Sequence, residues 1–183
     1  EIPGGRGDGV PVSSLIELQN GAKPVAMLTG QPEQHYLLSG SGGYGFITKL
    51  GDMVGRVKAG KVVMTVDSGE TVLPPIAVYA SSLINPDCKI VLASSDHRLL
   101  AFSIGELKVM SKGRGLQLMS LTDGASLEHV LVTTSEEFIV ETVGKRGAAH
   151  QEKLRICDIE GKRGKKGKVL DISGRLKTLS AAS

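Results

Sequence analysis

Apolar residues along this chain come in short bursts separated by turn formers, without a helical period. Tyr36-Leu37-Leu38 and Phe46-Ile47-Thr48 flank Gly40-Ser41-Gly42-Gly43, and Ile90-Val91-Leu92-Ala93 and Leu99-Leu100-Ala101-Phe102 flank Ser94-Ser95-Asp96. Further bursts are Ile76-Ala77-Val78-Tyr79, Val130-Leu131-Val132 and Phe138-Ile139-Val140-Glu141. Short runs bounded by Gly, Ser and Asp predict β-strands joined by tight turns. Their recurrence at intervals of roughly ten residues predicts an all-β chain of small repeated sheets.

A longer repeat is superimposed on the bursts. A basic, glycine-bearing turn followed by an apolar strand occurs four times: Arg6-Gly7-Asp8-Gly9-Val10-Pro11-Val12, Lys58-Ala59-Gly60-Lys61-Val62-Val63-Met64, Lys112-Gly113-Arg114-Gly115-Leu116-Gln117-Leu118 and Lys165-Lys166-Gly167-Lys168-Val169-Leu170. Taking Gly9, Gly60, Gly115 and Gly167 as anchors, the spacings are 51, 55 and 52 residues. A period near 50 residues holding about four strands has the size of a propeller blade. The chain is therefore expected to form a partial ring of roughly three to four blades. Residues 1–30 would be the remnant of an upstream blade, with blades over 31–80, 81–135 and 136–183, the last carrying a basic tail. A start at Glu1-Ile2-Pro3-Gly4-Gly5 without an initiator Met points to a fragment of a longer chain.

Composition changes this picture in one respect. The formal charge of +3, from 22 Lys+Arg and 19 Asp+Glu, is mild for a partner of a polyanion. Its distribution is not mild. Residues 144–178 hold eleven of the cations and four of the acids, a net of +7, which leaves −4 on the rest. A basic end on an acidic body points to a polyanionic partner. Three Tyr, three Phe and no Trp leave few stacking platforms for single strands, which favours duplex contacts. Cys88 and Cys157 are too few and too isolated for a disulfide framework and read as reduced thiols of a cytosolic protein. No apolar run approaches the length of a membrane-spanning helix.

Several segments together resemble the C-terminal domain of the A subunits of bacterial type II topoisomerases, and within that family the ParC type of topoisomerase IV. They are Gly43-Tyr44-Gly45-Phe46, Val57-Lys58-Ala59-Gly60-Lys61, Leu73-Pro74-Pro75, Leu107-Lys108-Val109-Met110-Ser111-Lys112-Gly113-Arg114-Gly115, Val143-Gly144-Lys145-Arg146 and Gly161-Lys162-Arg163-Gly164-Lys165-Lys166-Gly167, in that order. The resemblance implies a β-pinwheel, a propeller-like disc whose blades exchange strands and whose outer edge binds and bends duplex DNA. Gyrase relatives carry a Gln-Arg-Arg-Gly-Gly-Lys-Gly box; no intact copy occurs here, which favours topoisomerase IV over the gyrase A wrapping domain. The resemblance further implies an A₂B₂ assembly with the ParE ATPase, with ATP and Mg²⁺ used in other domains, and an upstream cleavage core that carries the DNA-cleaving tyrosine. The parent would then work in the bacterial cytoplasm at the nucleoid, with peripheral membrane association as a further option. No cofactor and no catalytic residue is expected in this segment.

The physics of the turns agrees with that expectation. Amides of a glycine-rich turn approach phosphates closely, and a neighbouring Lys or Arg adds charge. Contacts to phosphates alone bind any sequence and select for bendability. The candidate DNA contacts, chosen by their place at blade turns, are Arg6, Arg56, Lys58, Lys61, Lys112, Arg114, Lys145, Arg146, Arg163, Lys165, Lys166 and Lys168. The competing class is a propeller-like protein-interaction module, with the acidic body docking a partner and the basic tail aiding solubility.

Other motifs yield to simpler readings. Gly40-Ser41-Gly42-Gly43-Tyr44-Gly45 matches a dinucleotide-binding fingerprint, but a returning strand follows where that fold needs a long helix. His35, His97, His129 and His150 lie too far apart for a metal site. Arg6-Gly7-Asp8 matches an adhesion tripeptide and reads here as a blade turn. No nucleophile and base stand at working spacing.

Overall fold

The computed structural model describes residues 9, 11, 14, 16–18, 22–144, 147–171 and 174–182. Eleven strands are formed among the described residues: β1 His35–Ser39, β2 Tyr44–Lys49, β3 Ile76–Val78, β4 Lys89–Ser94, β5 Arg98–Ser103, β6 Leu116–Gln117, β7 Leu127–Thr133, β8 Glu137–Val143, β9 Ala149–Arg155, β10 Lys168–Val169 and β11 Arg175–Ala181. Helical structure among the described elements is confined to single turns such as Leu50–Met53, Ala80–Leu83, Ile104–Glu106 and Ile156–Asp158. The strands make three antiparallel sheets, ordered β3-β1-β2-β6, β10-β5-β4-β7 and β11-β8-β9. This is the all-β architecture that the bursts predict.

Each sheet starts from a hairpin. His35–Ser39 pairs with Tyr44–Lys49 from His35↔Lys49 to Ser39↔Gly45, across a turn that holds Gly43 at φ 81°. Lys89–Ser94 and Arg98–Ser103 pair in the same way, as do Glu137–Val143 and Ala149–Arg155. A third strand then returns to the first of the pair: β3 to β1, β7 to β4, β11 to β8. The exit from each hairpin is tied at an equivalent point. The amides of Leu50, Ile104 and Ile156 donate to the carbonyls of Gln34 (2.8 Å), Cys88 (3.0 Å) and Glu136 (2.8 Å).

Packing explains why the bursts differ. In the middle sheet, Ile90, Leu92, Leu100 and Phe102 face a core shared with Leu37, Ile47 and Val78, while Val91, Ala93, Leu99 and Ala101 face a second core with Phe138, Val140 and Ile156. Both faces are covered, so these strands are continuously apolar, as strands buried on two sides are. In β8 the buried positions alternate, Phe138, Val140 and Thr142, which is the mark of a strand with one covered face. A third, smaller core joins Tyr36, Leu38 and Phe46.

The fourth strand of a sheet comes from the next repeat. Leu116–Gln117, just after the Gly115 anchor, pairs with Tyr44 and Gly45 of the first sheet. Lys168–Val169, just after Gly167, pairs with Leu99 and Arg98 of the second. Both anchors sit at positive φ, 86° and 74°, and a Cβ there would overlap the carbonyl oxygens of Gly45 and Leu99 respectively. Glycine is needed at these two positions by conformation and by contact at once. Gly60, the second of the four anchors, has φ 77° but open space around it. The burst expected after it, Val62-Val63-Met64, forms only an isolated bridge from Met64 to Gly113, because no described sheet lies before it to receive a strand.

Candidate nucleic-acid interface

The basic turns lie at residues 54–60, 109–115 and 161–167, each following the helical turn that ends a hairpin. They are stitched into one row. The Gly113 amide donates to Val63 O (2.9 Å) and the Thr65 amide to Gly113 O (3.0 Å). One repeat later the Gly164 amide donates to Leu118 O (2.8 Å) and the Ser120 amide to Lys165 O (3.1 Å). Each of these two turns thus rests on the segment that follows the previous anchor, which sets turns distant in sequence side by side.

The candidate cations divide by what they touch. Arg56, Lys58, Lys112, Lys165 and Lys166 are exposed and form no salt bridge with another described residue. Lys61 and Lys168 are exposed but anchored, each Nζ donating to a main-chain carbonyl of the preceding helical turn, Asp52 O (2.7 Å) and Asp158 O (2.6 Å). Arg163 donates from Nη1 to Gln117 O (2.6 Å), its amide donates to Glu106 Oε2 (3.2 Å), and its Nε is buried without a partner. Arg114 bridges Asp67 (2.7 Å) and Glu70 (3.1 Å) with its guanidinium 4.0 Å from the Tyr44 ring centroid. Arg6, Lys145 and Arg146 lie outside the described residues. Lys162, not among the sequence candidates, is exposed at the start of the third turn. Its one signal in sequence is its place in the basic run.

Compensation redistributes the charge of the basic end. Lys153 pairs with Glu137, Lys177 with Glu141, Arg155 with Asp158, and Arg175 lies 3.9 Å from Glu128. A hydrogen bond from Lys177 lowers the pKa of the Glu141 carboxyl, and one to Asp158 raises that of the Arg155 guanidinium. What remains uncompensated is concentrated at 162–168. Anion binding at such a surface is electrostatic, with turn amides and ammonium groups acting on phosphate.

Among the described residues no group of three or more His, Cys, Asp or Glu could hold a metal ion, and no helix is long and apolar enough to cross a membrane. A cavity of about 620 Å³ lies between the first hairpin turn, β7 and β11 and is lined by groups including Ser41, Thr71, Glu128, His129 and Arg175. Burial there lowers the pKa of the His129 imidazole.

No family model matches the chain. It is 72% identical over 181 residues to the A subunit of DNA topoisomerase 4 from Neisseria gonorrhoeae, covering 99% of this chain and 24% of that protein. The chain spans about a quarter of the length of the curated relatives it matches. The solved C-terminal domain of Escherichia coli ParC superposes with a TM-score of 0.83 at 25% identity, over 96% of this chain and 71% of that one. The gyrase A C-terminal domain shares the fold, with a TM-score of 0.68 at 20% identity over 94% of this chain and 58% of that one. Sheets finished by a neighbour's strand are thus accompanied by identity along almost the whole sequence, and the chain belongs to the C-terminal β-pinwheel family of bacterial topoisomerase IV A subunits.

Proposed function

We propose that this domain holds duplex DNA across its row of basic turns, bends it, and presents it to the cleavage core of a topoisomerase IV enzyme for decatenation and supercoil relaxation. The observation that carries the reading is the placement of uncompensated cations from three repeats on basic turns, the second and third of which are hydrogen-bonded to the segment that follows the previous anchor. Sheets stacked face to face are about 10 Å apart. Phosphates of one DNA strand advance by about 3.4 Å each along the helix axis. Successive turns would therefore meet about every third phosphate. Lysines and arginines on turns meet the sugar-phosphate backbone rather than base edges, so binding depends on backbone charge and deformability. Chemistry, ATP and Mg²⁺ belong to other parts of the parent assembly, with a ParE-type ATPase for partner and the bacterial nucleoid for its place of work.

The test is the salt dependence of binding to two unrelated duplexes, read by fluorescence anisotropy. Each phosphate contact contributes about −0.9 to the slope of log K against log salt. Arg56, Lys58, Lys112, Lys162, Lys165 and Lys166 then contribute about −5 to the slope. Lys165→Gln and Lys166→Gln should each flatten it by about 0.9, whereas Arg163→Gln should lower stability first. Absence of binding at low salt, or binding that ignores salt, refutes the reading.

A further inference from the structure

The residue immediately before the anchor glycine is basic in two successive repeats, Arg114 before Gly115 and Lys166 before Gly167. The structure treats them differently. Arg114 enters a clasp whose other members all belong to the preceding repeat. Its Nη1 meets Asp67 at 2.7 Å, its Nη2 meets Glu70 at 3.1 Å, and its guanidinium lies over Tyr44. Glu70 is 19% exposed and also accepts the Asp67 amide through Oε2 (3.0 Å). Space for it is kept by Gly42, where a Cβ would overlap Glu70 Oε1.

At the next junction the partners are exchanged. Arg98 pairs with Val169 as Tyr44 pairs with Gln117, so Arg98 stands where Tyr44 stood. Arg98 binds Asp96 (3.1 Å), and Thr122 donates to the same carboxylate (2.6 Å). That acid is engaged by Arg98 and Thr122, and Lys166 forms no salt bridge among the described residues and is exposed.

We propose that Arg114 is a positioning residue. It clamps the donated strand Leu116–Gln117 onto the first sheet, fixes the angle between the first two basic turns, and so sets the curvature imposed on DNA. Lys166, at the same place in the repeat, is a phosphate contact. The proposal rests on the DNA-binding reading above for its consequence, but the clasp itself is testable without DNA.

The geometry favours a clamp over a contact for a physical reason. A guanidinium whose two Nη groups bind two carboxylates, whose Nε is buried without a partner and whose plane is stacked on a ring has no group left for phosphate, and lysine cannot reproduce that arrangement. Two measurements on the full chain decide the matter, the bend of a short duplex read by end-to-end energy transfer and the thermal midpoint without DNA. Arg114→Gln and Glu70→Gln change net charge in opposite directions. A clamp requires both to reduce the bend, and requires Arg114→Lys to behave like Arg114→Gln. Without DNA, the double variant should be no less stable than the less stable single variant. If Arg114 instead touches phosphate, the bend follows charge: Arg114→Gln weakens it, Glu70→Gln strengthens it, and Arg114→Lys is near wild type. That pattern, or strictly additive losses of stability, overturns the proposal. If wild type shows no salt-dependent duplex binding, the functional reading fails while the stability cycle still judges the clamp.

Discussion

Replacing each anchor glycine by alanine separates the donated strands from the turn conformation that precedes them. Gly60, Gly115 and Gly167 all have positive φ, 77°, 86° and 74°. Placing alanine in the left-handed region costs about 1–2 kcal/mol at any of them. At Gly60 nothing lies within 4 Å of the new Cβ, so that cost stands alone. At Gly115 the Cβ overlaps Gly45 O and approaches Phe46 Cδ1 to 2.8 Å. At Gly167 it overlaps Leu99 O and lies 2.9 Å from Leu99 C and 3.0 Å from Met119 Cε. The first neighbours are backbone atoms of the receiving strand, which cannot rotate away. Relief requires the two-residue donated strand to retreat, and lost ladder hydrogen bonds cost about 1 kcal/mol each. The expected loss is therefore about 3–4 kcal/mol at Gly115 and Gly167, against about 1–2 at Gly60. Urea unfolding at one temperature measures the difference directly through the midpoints. Three losses within about 0.5 kcal/mol of one another would refute the claim that these glycines exist to let one repeat's strand dock on another's sheet.

Two further outcomes follow from the side chains. Burial raises the pKa of the Cys88 thiol, while Cys157 is exposed; maleimide at neutral pH should modify Cys157 alone, and mass spectrometry finding early label on Cys88 would contradict its place in the core. At Asp96, burial acts to raise the carboxyl pKa, but hydrogen bonds from Ser94, Thr122, its own amide and Arg98 hold it below the usual carboxylate range. A depressed carboxyl stabilises the fold above its unfolded pKa of about 3.9 and loses that contribution as pH falls through the folded value. Asp96→Asn should thus lower the melting temperature at pH 7 and lessen its fall between pH 5 and 3; an unchanged fall would show that the carboxylate is not linked to folding.

The hairpins were legible in the sequence because the middle sheet is covered on both faces: Ile90 to Ala93 and Leu99 to Phe102 cannot be mistaken for solvent-facing segments. The repeat of basic turns was legible because all four anchors take a positive φ, which favours glycine, and glycine stands out at a fixed period. Ala149–Arg155 was not legible, since six of its seven residues are exposed and its pairing is with β8 on one side only. The donated strands were hidden for another reason. They are two residues long, and their choice of partner depends on residues about 70 positions earlier in the chain. Charge compensation of Arg114 was hidden likewise, because its acids, Asp67 and Glu70, belong to the preceding repeat.

Strand donation also fixes an order of events during synthesis. The edge of β2 stays open until Leu116–Gln117 has emerged, and residues 50–115 intervene. At about 5–20 residues per second that is roughly 3–13 s. A hairpin forms in about 1–10 μs. The same interval separates β5 from Lys168–Val169. Each of the first two sheets is therefore completed one repeat behind the ribosome, and through that delay its waiting edge is open to the matching strand of a neighbouring nascent chain.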